Sequence, residues 1–324
     1  MNFGIISTAW ASLEKTAKIL ILTESGQASL AEKIQKDNRL FVSEVSIIDI
    51  GTDSDYRQAM NALTEDDLLI ALLTIDGYVY KGYNDTFSPF SKPSGLSSKY
   101  IFIRLDIPEA SLLSGLNTSF AKMDAIIETC SAFTSGKTVR VTTAIGTDIT
   151  TEVGQHNTAS YHPLGKGEMA FLPPSEVWED LVPSSTNGVI VVDVTVGELR
   201  FEAELIDPLG IVDQPVTITV KDGLVVDITG GDIAKRLKSG LDKLDRHLQM
   251  LVELGHGLSD LAPTGMIGVD ESMNGSCHFG IGDRNPYHVD VVLSNPTITV
   301  LPDAAARGFA AEQIAAQHQH EAHD

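Results

Sequence analysis

The chain has 324 residues, 43% of them hydrophobic and 21% charged, the balance of a folded globular protein long enough for two cores. Acidic residues outnumber basic ones 44 to 23, and the formal net charge of −21 repels phosphate backbones and anionic lipid, which argues against nucleic-acid or membrane-surface partners. Two cysteines, Cys130 and Cys277, an N-terminus without a basic and apolar leader, and a longest apolar run (68–75) far below the ~18 residues that span a bilayer point to the reducing cytoplasm.

Short apolar runs at 19–22, 45–50, 68–73 and 100–105 read as strands, with helical patterns at 28–36 and 56–63 between them. Strands alternating with helix-length segments predict a doubly wound parallel-sheet α/β domain over 1–136. Neither GxGxxG nor GxxxxGK[ST] occurs, so a nucleotide phosphate loop has no support. Residues 84–98, rich in Ser, Pro and Gly, read as a surface loop.

From Lys137 the pattern changes. Segments 138–143, 189–196, 199–205, 216–220 and 224–228 read as strands, the last two joined by a tight turn at Lys221-Asp222-Gly223. Gly230-Gly231-Asp232 predicts an N-cap before an amphipathic helix from 233 to about 254. Strands return at 277–281, 288–293 and 297–301, giving an α+β domain over 137–303. The Ala-, Gln- and His-rich remainder, 304–324, is expected to fray, and its His318, His320 and His323 to bind metal only adventitiously.

Chemistry concentrates between Glu253 and Asp290, where Glu253, Glu271, His278, His288 and Asp290 are punctuated by glycines. Carboxylate oxygens with imidazole nitrogens are the donor set of Zn, Co, Mn or Fe(II). His288 and Asp290, two apart, share one face if they lie on a strand, and His278 on a neighbouring strand could join them. An HxD pair alone is common by chance.

The order of the elements is more specific. Glu253-Leu254-Gly255-His256-Gly257, then 270–282 (Asp-Glu-Ser-Met-Asn-Gly-Ser-Cys-His-Phe-Gly-Ile-Gly), then His288-Val289-Asp290-Val291 resemble successive motifs of the aminopeptidase T family of metallopeptidases. Upstream, Gly146-Thr147-Asp148-Ile149-Thr150 resembles that family's GTDLT segment, and Gly167-Glu168-Met169-Ala170-Phe171-Leu172-Pro173, with Asn187-Gly188, its GEVFTxP…NG segment. The likeness runs over about residues 140–295 and does not extend to the N-terminal domain.

The resemblance implies metal ligands at Glu168, Glu253, His278, His288 and Asp290, a ligand or base at Glu271, and an assisting tyrosine for which Tyr287 stands. It implies a hydrolase that holds two divalent ions (Zn, Co or Mn) and cleaves an amide bond of a small molecule or short peptide. A homodimer is the default expectation for a soluble enzyme. Two departures qualify this: Ser272 replaces the family's lysine, and the connection between Gly282 and His288 is shorter, so peptide specificity is not carried over.

The dihydroxypyridine ring-opening dioxygenases share the fold and the HxD element and bind one Fe(II). Their pattern puts His at the position of Glu253, an apolar residue at Glu168 and Ser at Gly280, and this chain departs from it at all three. Among the remaining candidates, His162 reads as a loop residue, His256 as a contact beside the ligands, and Cys277 as a small core residue on the face opposite His278.

Overall fold

The fully apolar run at 68–73 forms β3 (Leu68–Leu73), every residue of which is buried, as expected of a strand covered on both faces. In this computed structural model, described for residues 2–24, 28–52, 55–74, 87, 92–104, 107–158, 164–172, 176–201, 204–283 and 287–302, it is the middle strand of a five-stranded sheet. The sheet order is β2 (Glu44–Asp49), β1 (Lys18–Thr23), β3, β4 (Lys99–Arg104) and β7 (Met169–Leu172). All four pairings are parallel, the geometry that the alternating strand and helix pattern predicts. Helices α1 (Ala28–Asn38) and α2 (Tyr56–Asn61) supply crossovers. Two further helices, α3 (Glu109–Leu116) and α4 (Phe120–Phe133), have no counterpart in the sequence reading.

The described residues divide into two compact units, the first drawn from 1–123, 159–175 and 259–261, the second from the rest. The chain therefore leaves the first unit and returns to it: the Tyr100 amide bonds the Glu168 carbonyl at 2.9 Å, and β7 extends the parallel sheet from there. No helix among the described residues is long and apolar enough to cross a membrane.

The second unit is built on a twelve-stranded antiparallel sheet. Its path runs β11 (Glu204–Ile211), β10 (Thr195–Phe201), β16 (His288–Ser294), β15 (Ser276–Gly282), β14 (Leu251–Gly257), β8 (Glu176–Leu181), β6 (Asp148–Thr158), β9 (Asn187–Val192), β12 (Val216–Lys221) and β13 (Leu224–Thr229). Beside that path, β5 (Thr138–Thr142) joins β6 to β17 (Thr297–Val300). The β12–β13 turn is Asp222-Gly223, both at positive φ (50° and 78°), as a two-residue hairpin matching the strand twist requires. One face of β14–β16 feeds Leu254, Cys277, Phe279, Ile281, Val289, Val291 and Leu293 into the core.

Three expectations are corrected. The helix expected over 233–254 stops early: α5 spans Asp232–Leu241, and Glu253 lies on β14. Gln249 caps the helix, its amide donating to the carbonyls of Leu241 and Leu244 at 3.0 Å each, and the Leu251 amide pairs with the Gly223 carbonyl to start the strand. The single strand expected over 189–196 is two, because Asp193 bends the chain by accepting from the Ser294 amide and hydroxyl (2.8 and 2.5 Å). The strand expected over 199–205 is likewise divided between β10 and β11. The loop at 84–98 is described only at 87 and 92–98, and His162 and the tail 304–324 lie outside the described residues.

Candidate metal centre

Side-chain alternation and register put the chemistry on one face of the antiparallel sheet. Glu253 pairs with Gly280 and Gly255 with His278 across β14–β15; Gly280 pairs with Asp290 and Gly282 with His288 across β15–β16; Gly257 pairs with Glu176 across β14–β8. Because paired residues project to the same side, Glu176, Glu253, His278, His288 and Asp290 all face away from the apolar core. The glycines opposite them keep that side open. A Cβ on Gly280 would lie 2.5 Å from His288 Cε1 and 2.9 Å from Glu253 Cβ, closer than any side chain tolerates.

Two donor groups result, each with its ligand atoms within 4.8 Å of one another: Glu176, Glu253 and His278, and Glu253, His288 and Asp290. Glu253 belongs to both. His278 Nε2 lies 2.6 Å from Glu176 Oε2 and 3.4 Å from Glu253 Oε1, while His288 Nε2 lies 3.0 Å from Asp290 Oδ1 and 4.0 Å from Glu253 Oε2.

The acids and imidazoles on this face shift one another's proton affinities. Burial raises the Glu253 carboxyl, and Glu176 and Asp290 add to the rise against the opposing pull of His278. Burial, then Glu176 and Asp290, drive Glu271 well above the usual carboxylate range. Burial alone would lower both imidazoles, but Glu176, Glu253 and Asp290 hold His278 well above its ordinary value, and Asp290 with Glu253 brings His288 to about 9. Burial would raise Asp290, yet His288 and His278 keep it below the ordinary range.

Metal fits this donor set on a direct observation. Among the described residues, Nδ1 of His278 and Nδ1 of His288 are buried with no hydrogen-bond partner, and His278 Nε2 and Glu176 Oε2, 2.6 Å apart, meet without hydrogen-bond geometry. Lone-pair atoms brought together out of water need a proton or a cation between them, because unpaired burial costs ~1–3 kcal/mol per group.

Of the residues expected from sequence, Glu253, His278, His288 and Asp290 come together. Glu271 follows the short helix α6 (Ile267–Asp270), half-buried and within the electrostatic reach of Glu176, Asp290, His278 and Glu253. Glu168 belongs to the first unit, where it is exposed and its carboxylate accepts from the Gly165 amide at 2.8 Å. A further acid at the donors is Glu176, which the sequence reading missed. Tyr287 is half-buried just before β16, and residues 284–286 of its loop lie outside the described residues.

His256 is three residues from Glu253 and so faces the other side of β14, where its Nε2 is 3.6 Å from the fully buried Glu179. It is no contact of the donors. Thr134 Oγ1 donates to Glu179 at 2.5 Å, and Ser131 Oγ lies 2.9 Å from His156 Nε2, so this second polar cluster ties the end of α4 to the sheet. Both cysteines are free, and burial pushes each thiol up to about 12, which leaves them protonated and inert.

The profile of a protein family described as 2,5-dihydroxypyridine 5,6-dioxygenase matches residues 41–276. The chain belongs to that family. The matched span ends two residues before His278, so this dioxygenase-family chain carries His278, His288 and Asp290 beyond it. No curated protein matches it in sequence. The solved 2,5-dihydroxypyridine dioxygenase from Pseudomonas putida KT2440 is similar in fold, with a TM-score of 0.60 and 14% identity over 92% of each chain. Wild-type AmpT from Thermus thermophilus is similar too, with a TM-score of 0.52 and 12% identity over 93% of this chain and 96% of its own. At such identities the likeness shows a shared fold and leaves the reaction open.

Proposed function

We propose that the chain is a divalent-metal-dependent hydrolase that cleaves an amide bond in a small molecule or short peptide. The observation that carries this reading is the sharing of Glu253 by two adjoining donor groups. Glu176, Glu253 and His278 would hold one ion, and Glu253, His288 and Asp290 a second. Four carboxylates (Glu176, Glu253, Glu271 and Asp290) converge on two imidazoles, a negative charge that two divalent cations would neutralise.

When bound, such ions polarise a carbonyl and acidify a water. Glu271, within electrostatic reach of Glu176, Asp290, His278 and Glu253, would take the water's proton and deliver it to the departing amine. Tyr287, beside His288, is assigned to steady the substrate carbonyl as the tetrahedral carbon forms. Gly280 supports the same reading: the serine of the dioxygenase pattern would collide there with His288.

The second reading, ring cleavage of a hydroxylated pyridine with one Fe(II), draws on family membership. His278, His288 and Asp290 would supply its two imidazoles and one carboxylate. One experiment separates the two: bound metal per chain by elemental analysis, with amide hydrolysis assayed on aminoacyl arylamides and oxygen uptake on dihydroxypyridines. Two ions and hydrolysis are expected. One iron with oxygen consumption would replace the hydrolase reading.

A further inference from the structure

Asp270 is fully buried, yet it belongs to neither donor group. Its Oδ1 accepts from the Thr264 amide at 2.7 Å and hydroxyl at 2.9 Å, and its Oδ2 from the Gly265 amide at 2.8 Å and the Thr195 hydroxyl. Four donors fill the ~4 lone-pair sites that a carboxylate offers. They come from two places, the 264–265 turn and β10. Gly265 supplies the positive φ (84°) that lets the turn fold back onto the acid.

The connection leads to the centre from both ends. Asp270 closes α6, and the next residue is Glu271. On the other side, Thr195 pairs with Val292 and Val196 with Val291 on β16, the strand that carries His288 and Asp290. Gly197 is pinched between the two elements, since a Cβ there would lie 3.2 Å from both the Asp290 amide nitrogen and Ile267 Cγ1 of α6.

We infer that Asp270 is the positioning residue of the centre: it locks α6 to β10 and so fixes Glu271, the residue that follows it, relative to β16, which carries His288 and Asp290. This rests on the reading of those residues as a metal site. An acid serving the fold alone would have no effect on how a bound ion sees its ligands.

Cobalt(II) is the probe, because its visible absorption reports the ligands around it. In Asp270→Asn an amide NH₂ replaces one acceptor oxygen and faces donors. Cobalt affinity of the full-length chain is expected to fall about 10–100-fold, with a changed band shape. Glu271→Gln should alter the bands in the same way, and the double variant should be no worse than either single one. Thr195→Val, which removes one donor and keeps the shape, should give the same band change at smaller amplitude.

Wild-type bands and affinity in Asp270→Asn and Thr195→Val, with only thermal stability lowered, would overturn the inference. So would losses that add fully in the double variant, or a silent Glu271→Gln. A wild-type chain that takes up no cobalt would instead remove the metal centre itself, and the positioning role with it.

Discussion

Gly255 and His278 face each other across the β14–β15 ladder, and the imidazole lies directly over the glycine's α-carbon. A Cβ at 255 would fall inside the His278 ring, 2.9 Å from its Cδ2 and closer still to Nε2. The glycine is thus what lets a fully buried histidine lean toward Glu176 on the far side of β14. Gly255→Ala should drive the ring away and cost about 1–3 kcal/mol of stability by overpacking. Metal content should fall with it, and an alanine variant that retains full metal by elemental analysis would refute this geometry.

Glu176 and Glu168 offer a direct comparison. Glu176→Gln leaves His278 Nε2 facing a neutral amide and should lower bound metal strongly, whereas Glu168→Gln should leave it unchanged. The two variants measured side by side decide which acid serves the centre, and the reverse ranking would return the role to Glu168.

His288→Ala removes a donor from only one of the two groups, while Glu253→Gln weakens both. Under the hydrolase reading, His288→Ala should retain about half the metal of the wild type, and Glu253→Gln should retain less. Circular dichroism should show both folded. Equal metal in the two variants would deny Glu253 its shared position.

Proton linkage makes the metal-free chain sensitive to alkali. His288 is raised from 6.5 to about 9, so its contribution is fully present below its unfolded value and is lost as pH climbs through about 9. The raised carboxyls of Glu253 and Glu271 act in the same direction, stabilising while protonated and losing that contribution as pH rises through their elevated values. Asp290, held low, has the opposite sign and loses its contribution only in acid. Calorimetry on chelated protein should therefore show stability falling between about pH 6 and about pH 10, by up to about 3 kcal/mol from His288 alone. Added metal should reverse the slope, because binding releases those protons. A flat profile for the chelated chain would contradict the proposed protonation.

Much of the centre was legible because its residues are close in sequence and punctuated by glycine. His288 and Asp290 share a strand, and His278 lies on the neighbouring one. Glu176 was not legible. Its strand alternates buried Val177 and Leu181 with outward positions, but the buried Glu179 sits on the apolar side and hides the period of two. The end of α5 was obscured for a related reason, since Leu251 and Leu254 continue a helical spacing whose carbonyls Gln249 has already capped.

Composition, local periodicity and motif order were sufficient for a parallel α/β region, an antiparallel region, and an acid- and imidazole-rich segment from Glu253 to Asp290, because those properties reside in neighbouring residues. Tertiary structure alone decided that residues 169–172 return to the parallel sheet, that Glu176 meets His278, and that His256 faces the core. Each of these depends on which strands pair and in what register, and a shift of one residue would turn every donor to the opposite face.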